Sequence, residues 1–419
     1  MRFVWITKEV PLNPDNGLRI YSNGLLSGLL RMGATGTLIA YKRKAAEGAS
    51  LPGLEILDVS PTRRIRLFSL ASRLHSDAYQ LRSRPFTQAV LQSLASPVDV
   101  VVIDYFAMGW ILPAVRKALA KVSQRPVLVY VAHNHEAVLR ADVARSIQNP
   151  LLRGVLSLDA GKAARLETSL ISAADLIVAN TLEDMRSIGN CVPGKRILPL
   201  SPGYDGEIRP TRPITAGIPR LAVIVGSFEW IAKQANLRKF LRIADDRFRK
   251  AGIQVRVVGR APAELIAELG SLYPWCTFTG PVEDVRPFLP EGRIGIMPDD
   301  VGGGFKHKYL YYIFSGVPIA AIRSQIAGLP IDLDRDLLAR ETMTDLVDAV
   351  VESIDDLPLL EGMRIRCWEA CAGSFSWEQR GRELYDAILE VLRAPMSPGC
   401  GLPASRQPET GNERSTKLG

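Results

Sequence analysis

The chain has 419 residues, 47% hydrophobic and 23% charged, with 34 Gly and 28 Pro. This composition excludes collagen, coiled coil and wholesale disorder, and at roughly 100–200 residues per domain the length predicts two domains. Lys plus Arg is 52 against 44 Asp plus Glu, and the net charge of +8 favours anionic partners without choosing among phosphates, nucleic acid and an acidic membrane.

The N-terminal apolar run Phe3–Ile6 is too short for a signal peptide, because charge resumes at Lys8. It predicts a first strand. Asn13–Gly17 is a turn-rich loop, and Ile20–Met32 carries Leu25, Leu26, Leu29 and Leu30 at helical spacing before Gly33. Thr37–Tyr41 predicts a second strand. Residues 61–86 hold Arg63, Arg64, Arg66, Arg73, Arg82 and Arg84 with Asp77 as the one acid. Drawn as one helix, Leu67, Leu70, Leu74 and Leu81 form a stripe flanked by Arg66, Arg73 and Arg84. Such a helix suits an anionic membrane interface, and equally a core-packed helix with solvated arginines. Val98–Ile103, Val127–Ala132 and Leu176–Ala179 are apolar, β-branched runs of the kind found in strands buried on both faces. A helix through Ala163–Ile171 precedes the last of them.

The proline-rich stretch Thr211–Pro219 predicts a linker, and the alternation then restarts. Leu221–Val225, Val255–Val258, Thr277–Thr279 and Ile294–Met297 predict strands, with a helix through Asn236–Asp245. Ser376 and Gln379 have capping-box spacing before an apolar stripe of Leu384, Ile388 and Val391. Residues 394–419 turn to Pro, Ser, Gly and Thr, a disordered-tail composition. Strand–helix alternation argues parallel sheets covered by helices, with ligands outside the strands' carboxyl ends.

The five cysteines, Cys191, Cys276, Cys367, Cys371 and Cys400, form no CxxC pair. Free thiols and a reducing cytoplasm are expected. No run approaches the ~18 apolar residues of a spanning helix, so any membrane contact is expected to be peripheral. No helix-turn-helix, RNP or zinc-finger pattern supports nucleic acid.

The segment from Asp299 to Tyr312 is the most informative. Gly302, Gly303 and Gly304 follow an apolar strand and precede a helical pattern, with Lys306 and Lys308 beside them. Glycines let backbone amides approach an anion, a helix start adds partial positive charge, and lysines add full charge. The expectation is a diphosphate site; a flexible turn with solvated lysines reads equally from spacing alone. His133 and Glu136, with His135, follow the strand ending at Ala132, where a base could take a hydroxyl proton. Asp104, at the end of the preceding strand, is a second candidate base or a loop cap. Asn16 and Gly17 sit in the first loop, as ligand contacts or as a plain turn.

Residues 294–319, IGIMPDDVGGGFKHKYLYYIFSGVPI, resemble the donor-site signature of GT-B glycosyltransferases, particularly family 4. The loop and helix at 13–33, the stretch His133-Asn134-His135-Glu136, the route through Ser201–Asp205 and the helix start Phe375-Ser376-Trp377-Glu378 are similar to the same family. The resemblance spans about residues 1–393. It implies an α/β GT-B fold of two Rossmann-like domains facing a cleft. The acceptor domain would take residues 1–205, the nucleotide-sugar domain 206–375, and a helix at 376–393 would cross back. It implies transfer from a UDP- or GDP-type sugar donor to a saccharide or polyprenyl-linked acceptor, in polysaccharide or glycolipid synthesis, with no metal or other cofactor. Gly226, Ser227, Lys233, Arg260 and Glu283 would hold the donor from strand ends, Lys308 and the glycine amides its diphosphate. The family's two glutamates, seven residues apart, are replaced by Gly303 and Tyr311. Tyr311 and Tyr312 would then fill the missing place, an arrangement similar to inverting, xanthan-type glucuronosyltransferases. Two other readings compete. A dinucleotide oxidoreductase lacks its GxGxxG turn here. A non-catalytic binder on a degenerate transferase fold is suggested by the missing glutamates.

Overall fold

The computed structural model describes residues 1–61, 64–208, 213–229, 231–300 and 304–394. The chain builds two all-parallel sheets in succession. The first uses β1 (Arg2–Glu9), β2 (Thr35–Tyr41), β3 (Leu54–Val59), β4 (Val100–Asp104), β5 (Val127–Ala132), β6 (Leu176–Ala179) and β7 (Ile197–Pro199), in the order β3-β2-β1-β4-β5-β6-β7. The second uses β8 (Leu221–Val225), β9 (Gln254–Val258), β10 (Cys276–Phe278), β11 (Ile294–Met297), β12 (Ile319–Ile322) and β13 (Leu338–Arg340), in the order β10-β9-β8-β11-β12-β13. Each order reverses direction once, between β1 and β4 and between β8 and β11. A crevice opens at such a reversal, because successive connections leave on opposite faces of the sheet.

The strands predicted as continuous apolar runs are the buried ones: β4, β5, β6, β8 and β11 are buried along their whole length. β4 begins at Val100, and just before it the Asp99 carboxylate accepts from the backbone N–H of Arg2 at 2.6 Å. Around the first sheet lie α1 (Gly17–Arg31), α2 (Ser76–Leu81), α3 (Arg84–Ser93), α4 (Leu112–Leu119), α5 (Glu136–Ser146), α6 (Pro150–Ala173) and α7 (Leu182–Cys191). Around the second lie α8 (Ile231–Ala251), α9 (Ala263–Leu272), α10 (Lys308–Phe314), α11 (Met343–Ser353) and α12 (Leu357–Cys371).

The single basic helix expected over 61–86 is not formed. Arg66–Ala71 is a 3-10 turn, α2 is six residues long, and Ser83 caps a new helix whose first turn contains Pro85. Proline at a helix start has no N–H to give the turn before it, so the run breaks there. The stripe of Leu67, Leu70, Leu74 and Leu81 therefore does not exist as one helix face. Arg63 lies outside the described residues, as do part of the predicted linker and residues 395–419 of the predicted tail.

The last helix, α13 (Trp377–Arg393), follows the second sheet's elements but packs on the first. Its Leu384, Ala387 and Ile388 join the core around Phe3, Trp5 and Leu25. Ser376 accepts from Gln379 N as the expected cap. The crossing is tight: a Cβ on Gly28 would lie 2.5 Å from the Gly381 Cα. Backbone cannot withdraw as a side chain can. Gly28→Ala is expected to cost about 1–3 kcal/mol of stability, beyond the roughly 1 kcal/mol alanine returns to the helix. Denaturant unfolding measures it, and an unchanged midpoint would mean that α1 and α13 separate freely. No helix among the described residues is long and apolar enough to cross a membrane.

Candidate functional site

Both reversal points open into one cleft. On the first sheet, β4 ends at Asp104 and β5 leads into His133. Asp104 is fully buried, and its carboxylate accepts from Trp5 Nε1 at 3.0 Å and meets His133 Nε2 at 2.6 Å. A carboxylate only accepts, so the histidine proton sits on Nε2. In the neutral ring the lone pair is then on Nδ1, for which the described residues supply no hydrogen-bond partner. The rings of Tyr21 and Tyr105 stand edge-on to the imidazole, with centroids 5.4 and 6.2 Å away. Tyr105 follows Asp104 directly and has φ +86, a left-handed conformation that costs a bulky residue energy. Such strain persists where the surroundings over-determine it.

His133, His135 and Glu136 do not converge. His135 Nδ1 meets Ser187 Oγ at 2.6 Å. Glu136 accepts from Arg140 Nε at 2.7 Å and from Asn134 Nδ2 at 3.1 Å. Glu167 lies fully buried behind them, taking the N–H groups of Glu136 and Ala137 and the Tyr130 hydroxyl. Burial outweighs these hydrogen bonds and raises its carboxyl to about 7. Among the described residues no group of three or more His, Cys, Asp or Glu side chains is placed to hold a metal ion.

On the second sheet the reversal point is positive. Lys308 Nζ pairs with Asp299 Oδ2 at 2.7 Å, and Asp299 is buried just beyond β11. Burial alone would raise that carboxyl, but Lys308, Lys306 and Lys233 outweigh it and hold it below the usual carboxylate range. Burial, reinforced by repulsion from Lys308, lowers Lys233. Lys306 donates to the Gln325 carbonyl at 2.8 Å and side chain at 3.2 Å, and burial pushes it down to about 8. Three lysines thus share one aspartate. α10 has only seven residues, so the positive character comes from these side chains more than from a helix dipole.

The two walls touch. A Cβ on Gly304, which has φ +66, would lie 2.1 Å from Asn134 Oδ1, and one on Gly17 would lie 3.2 Å from the His307 ring. Burial, chiefly, holds His307 neutral, its pKa pushed down to about 4. Arg260 reaches across to Asp15 at 3.7 Å.

The remaining predicted residues are placed as follows. Asn16 caps α1, accepting from Arg19 N. Gly226 lies beneath Gly259, whose Cβ would meet the Gly226 carbonyl at 2.1 Å. The Ser227 hydroxyl donates to Glu229 at 3.2 Å, and Glu283 is exposed. Tyr311 is half-buried, its hydroxyl 3.5 Å from Asp205. Gly302 and Gly303 lie outside the described residues. Tyr312 requires correction: it is fully buried, its ring over Gly295 and its hydroxyl between Val225 N and Val223 O, at 2.8 and 3.1 Å. It ties β8 to α10 rather than lining the cleft. Tyr312→Phe should leave the Val225 N–H short of an acceptor and cost about 1–3 kcal/mol, with ligand binding unchanged. Weakened binding with full stability would return it to the site.

Sequence reasoning did not single out Asp299, Tyr105, Arg140, His307 or Gln325. Asp299 had a signal: it follows a strand's carboxyl end within the segment already under scrutiny. The others are brought in by packing and by contact between the two walls.

Residues 219–356 match the family described as glycosyl transferases group 1. No curated protein matches the chain. Among solved structures, sucrose-phosphate synthase from Thermosynechococcus elongatus is similar with TM-score 0.68 at 14% identity, over 93% of this chain and 98% of that one. Anabaena HepE, solved with UDP and glucose, gives 0.65 at 12%, over 93% and 100%. The pneumococcal O-GlcNAc transferase GtfA, solved with UDP and GlcNAc, gives 0.62 at 12%, over 94% and 99%. The shared fold is GT-B: two parallel sheets with interleaved helices facing one another.

Proposed function

We propose that the chain transfers a glycosyl group from a nucleoside-diphosphate sugar, of UDP or GDP type, to a hydroxyl of a saccharide or lipid-linked acceptor. The observation that carries this reading is the meeting of two reversal points in one cleft. One bears the His133–Asp104 pair, the other the lysines gathered round Asp299. The first suits a proton acceptor and the second a departing diphosphate. The family match over 219–356 and the fold support the same assignment.

In this reading His133 Nδ1 takes the acceptor hydroxyl proton as the oxygen attacks the anomeric carbon, with Asp104 holding the ring and its tautomer. The bond from that carbon to the diphosphate breaks, and Lys308 and Lys233, with Gly302–Gly304, receive the developing charge. Lys306 adds to the field. Gly226, Ser227, Arg260, Glu283 and Tyr311 hold base, ribose and sugar, and Asn16 and Gly17 close the site from the other wall. Residues 1–205 serve the acceptor and 206–375 the donor. Incubation with a panel of nucleotide sugars, reading released nucleotide, tests the assignment. Calorimetric titration with UDP, GDP and NAD discriminates further: binding of neither UDP nor GDP would overturn the reading.

A second reading concerns stereochemistry. Gly303 and Tyr311 stand where the resembling family has glutamates, whereas the His133–Asp104 pair supplies an acceptor-side base. Direct attack with inversion follows, and the anomeric proton signal of the product decides it. Retention would remove the base role from His133.

Lys306 adds a pH dependence. A lysine is cationic below its pKa, and this one lies near 8. UDP affinity should therefore fall as pH rises from about 7 to 9. Near pH 8 binding should take up a proton, because the anion restores the charge. Titrations in buffers of different ionisation enthalpy measure that proton, and a flat profile would take Lys306 out of the site.

A further inference from the structure

Away from the cleft, two elements expose large apolar side chains side by side. The 3-10 turn Arg66–Ala71 presents Leu67 and Phe68 at 69% and 61% exposure, with Ile65 and Leu70 also exposed. The start of α6 presents Leu151 and Leu158 at 83% and 68%, with Leu152 and Val155 exposed between them. Leu151, Val155, Leu158 and Lys162 follow helical spacing and share one face. Lys162 Nζ donates to the carbonyls of Ser69 and Leu70, at 2.9 and 3.2 Å, which joins that face to the turn. The eleven residue steps from Leu151 to Lys162 make the surface about 16 Å long. A contiguous apolar surface of this kind marks a contact region, where scattered exposed leucines would not.

Its rim selects the contact. Arg64, Arg66, Arg73 and Arg153 are exposed around it, and residues 64–74 and 150–158 contain no acid. Two carboxylates lie nearby: Asp159 is held inward by Ser76 and His75, and Asp77, 3.7 Å from Arg66, accepts the closer hydrogen bond from Arg140 at 2.9 Å. A second copy of the same face would set arginine against arginine. The surface is a protruding helix start and a turn, aliphatic apart from Phe68. It lacks the Trp and Tyr anchors that dominate protein interfaces. We propose that this surface docks the protein on an anionic lipid bilayer, the leucines and Phe68 entering the interface and the arginines meeting lipid phosphates.

The placement suits the cleft. From α2, Asp77 accepts from Arg140 Nη2 at 2.9 Å, and Arg140 holds Glu136 at 2.7 Å, three residues from His133. α2 packs on the lipid-facing turn, and α6 packs on α5, which carries Glu136 and Arg140, so the surface is joined to the acceptor wall through these two helices.

Sedimentation with phosphatidylcholine vesicles, with and without phosphatidylglycerol, tests the proposal. The full chain should pellet with the anionic vesicles, weakly or not at all with neutral ones, and less as salt rises. R66Q/R73Q/R153Q should weaken binding on the order of 100-fold at low salt, roughly fivefold per arginine. L67S/F68S/L151S/L158S should abolish it. All seven positions are exposed, so thermal unfolding should match the unsubstituted chain. No pelleting of the original chain, or pelleting of both variants equal to that of the original chain, would overturn the proposal. So would sedimentation-equilibrium dimerisation that the serine variant removes without any vesicle binding. Titration of UDP and GDP on the same proteins keeps the two assignments apart. Lost vesicle binding with either nucleotide bound condemns only the surface, and binding of neither nucleotide condemns only the proposed function.

Discussion

Lys308→Ala is expected to lower turnover or donor affinity by roughly 30- to 1000-fold, the range of about 2–4 kcal/mol lost when a desolvated transition-state donor is removed. Lys308 stands at the second sheet's reversal point and is the lysine in contact with buried Asp299. That contact complicates the substitution. Removing one partner of a buried pair leaves the other's charge uncompensated, at about 3–5 kcal/mol in folding stability, here softened by Lys306 and Lys233 nearby. The variant to compare is Asp299→Asn/Lys308→Ala, which removes both charges. It should unfold close to the original chain and still lose UDP binding. Unfolding curves and UDP calorimetry on both variants separate the two effects. Full donor affinity in the double variant would end the diphosphate assignment.

His133→Ala should reduce glycosyl transfer by about 10²–10⁴-fold, the usual contribution of a positioned base, while UDP affinity stays within about twofold. The loss should appear in kcat more than in the donor KM, because the proposed partner of Nδ1 is the acceptor hydroxyl. Asp104→Asn is the finer test. An amide can present N–H to Nε2, which drives the imidazole proton to Nδ1 and removes the lone pair the reaction needs. Asp104 is buried, and among the described residues its carboxylate hydrogen-bonds the side chains of Trp5 and His133 alone, so in the proposed reaction it acts by positioning. Its variant should lose transfer with donor binding intact and displace the pH–rate profile. Near-original rates in His133→Ala would move the base elsewhere, with Glu136 next in line. Glu136 is bonded to Arg140 and Asn134, so Glu136→Gln should produce a smaller loss than His133→Ala.

Several features could be read from local chemistry. β5, β6, β8 and β11 match the predicted runs residue for residue, because a strand buried on both faces needs apolar residues throughout. β3 and β13 lie at sheet edges; β3 is only partly buried and β13 is three residues long, so the apolar signal of each is thin. The core of α6 was legible at Ala163–Ile171, but its exposed first half carries leucines on the outside and has no inward periodicity to detect.

The residues of the cleft divide along the same line. His133, Asp104, Lys306 and Lys308 were visible because strand ends and glycine-rich turns announce themselves in order along the chain. Which of them meet was not visible. The pairing of Asp104 with His133 depends on the registration of β4 beside β5, 29 positions apart in the chain. Tyr312 shared its type and spacing with Tyr311, yet one turned inward beneath β8 and the other outward to Asp205. The segment at 61–86 makes the point most plainly. Its composition, basic and leucine-rich, was evident at once. Its shape depended on Pro85 breaking the run and on α6 arriving beside the 3-10 turn, so the apolar surface is assembled from two distant stretches. Composition and periodicity report what each residue prefers over a few neighbours. Contacts between positions dozens of residues apart depend on how whole elements pack, which no local pattern encodes.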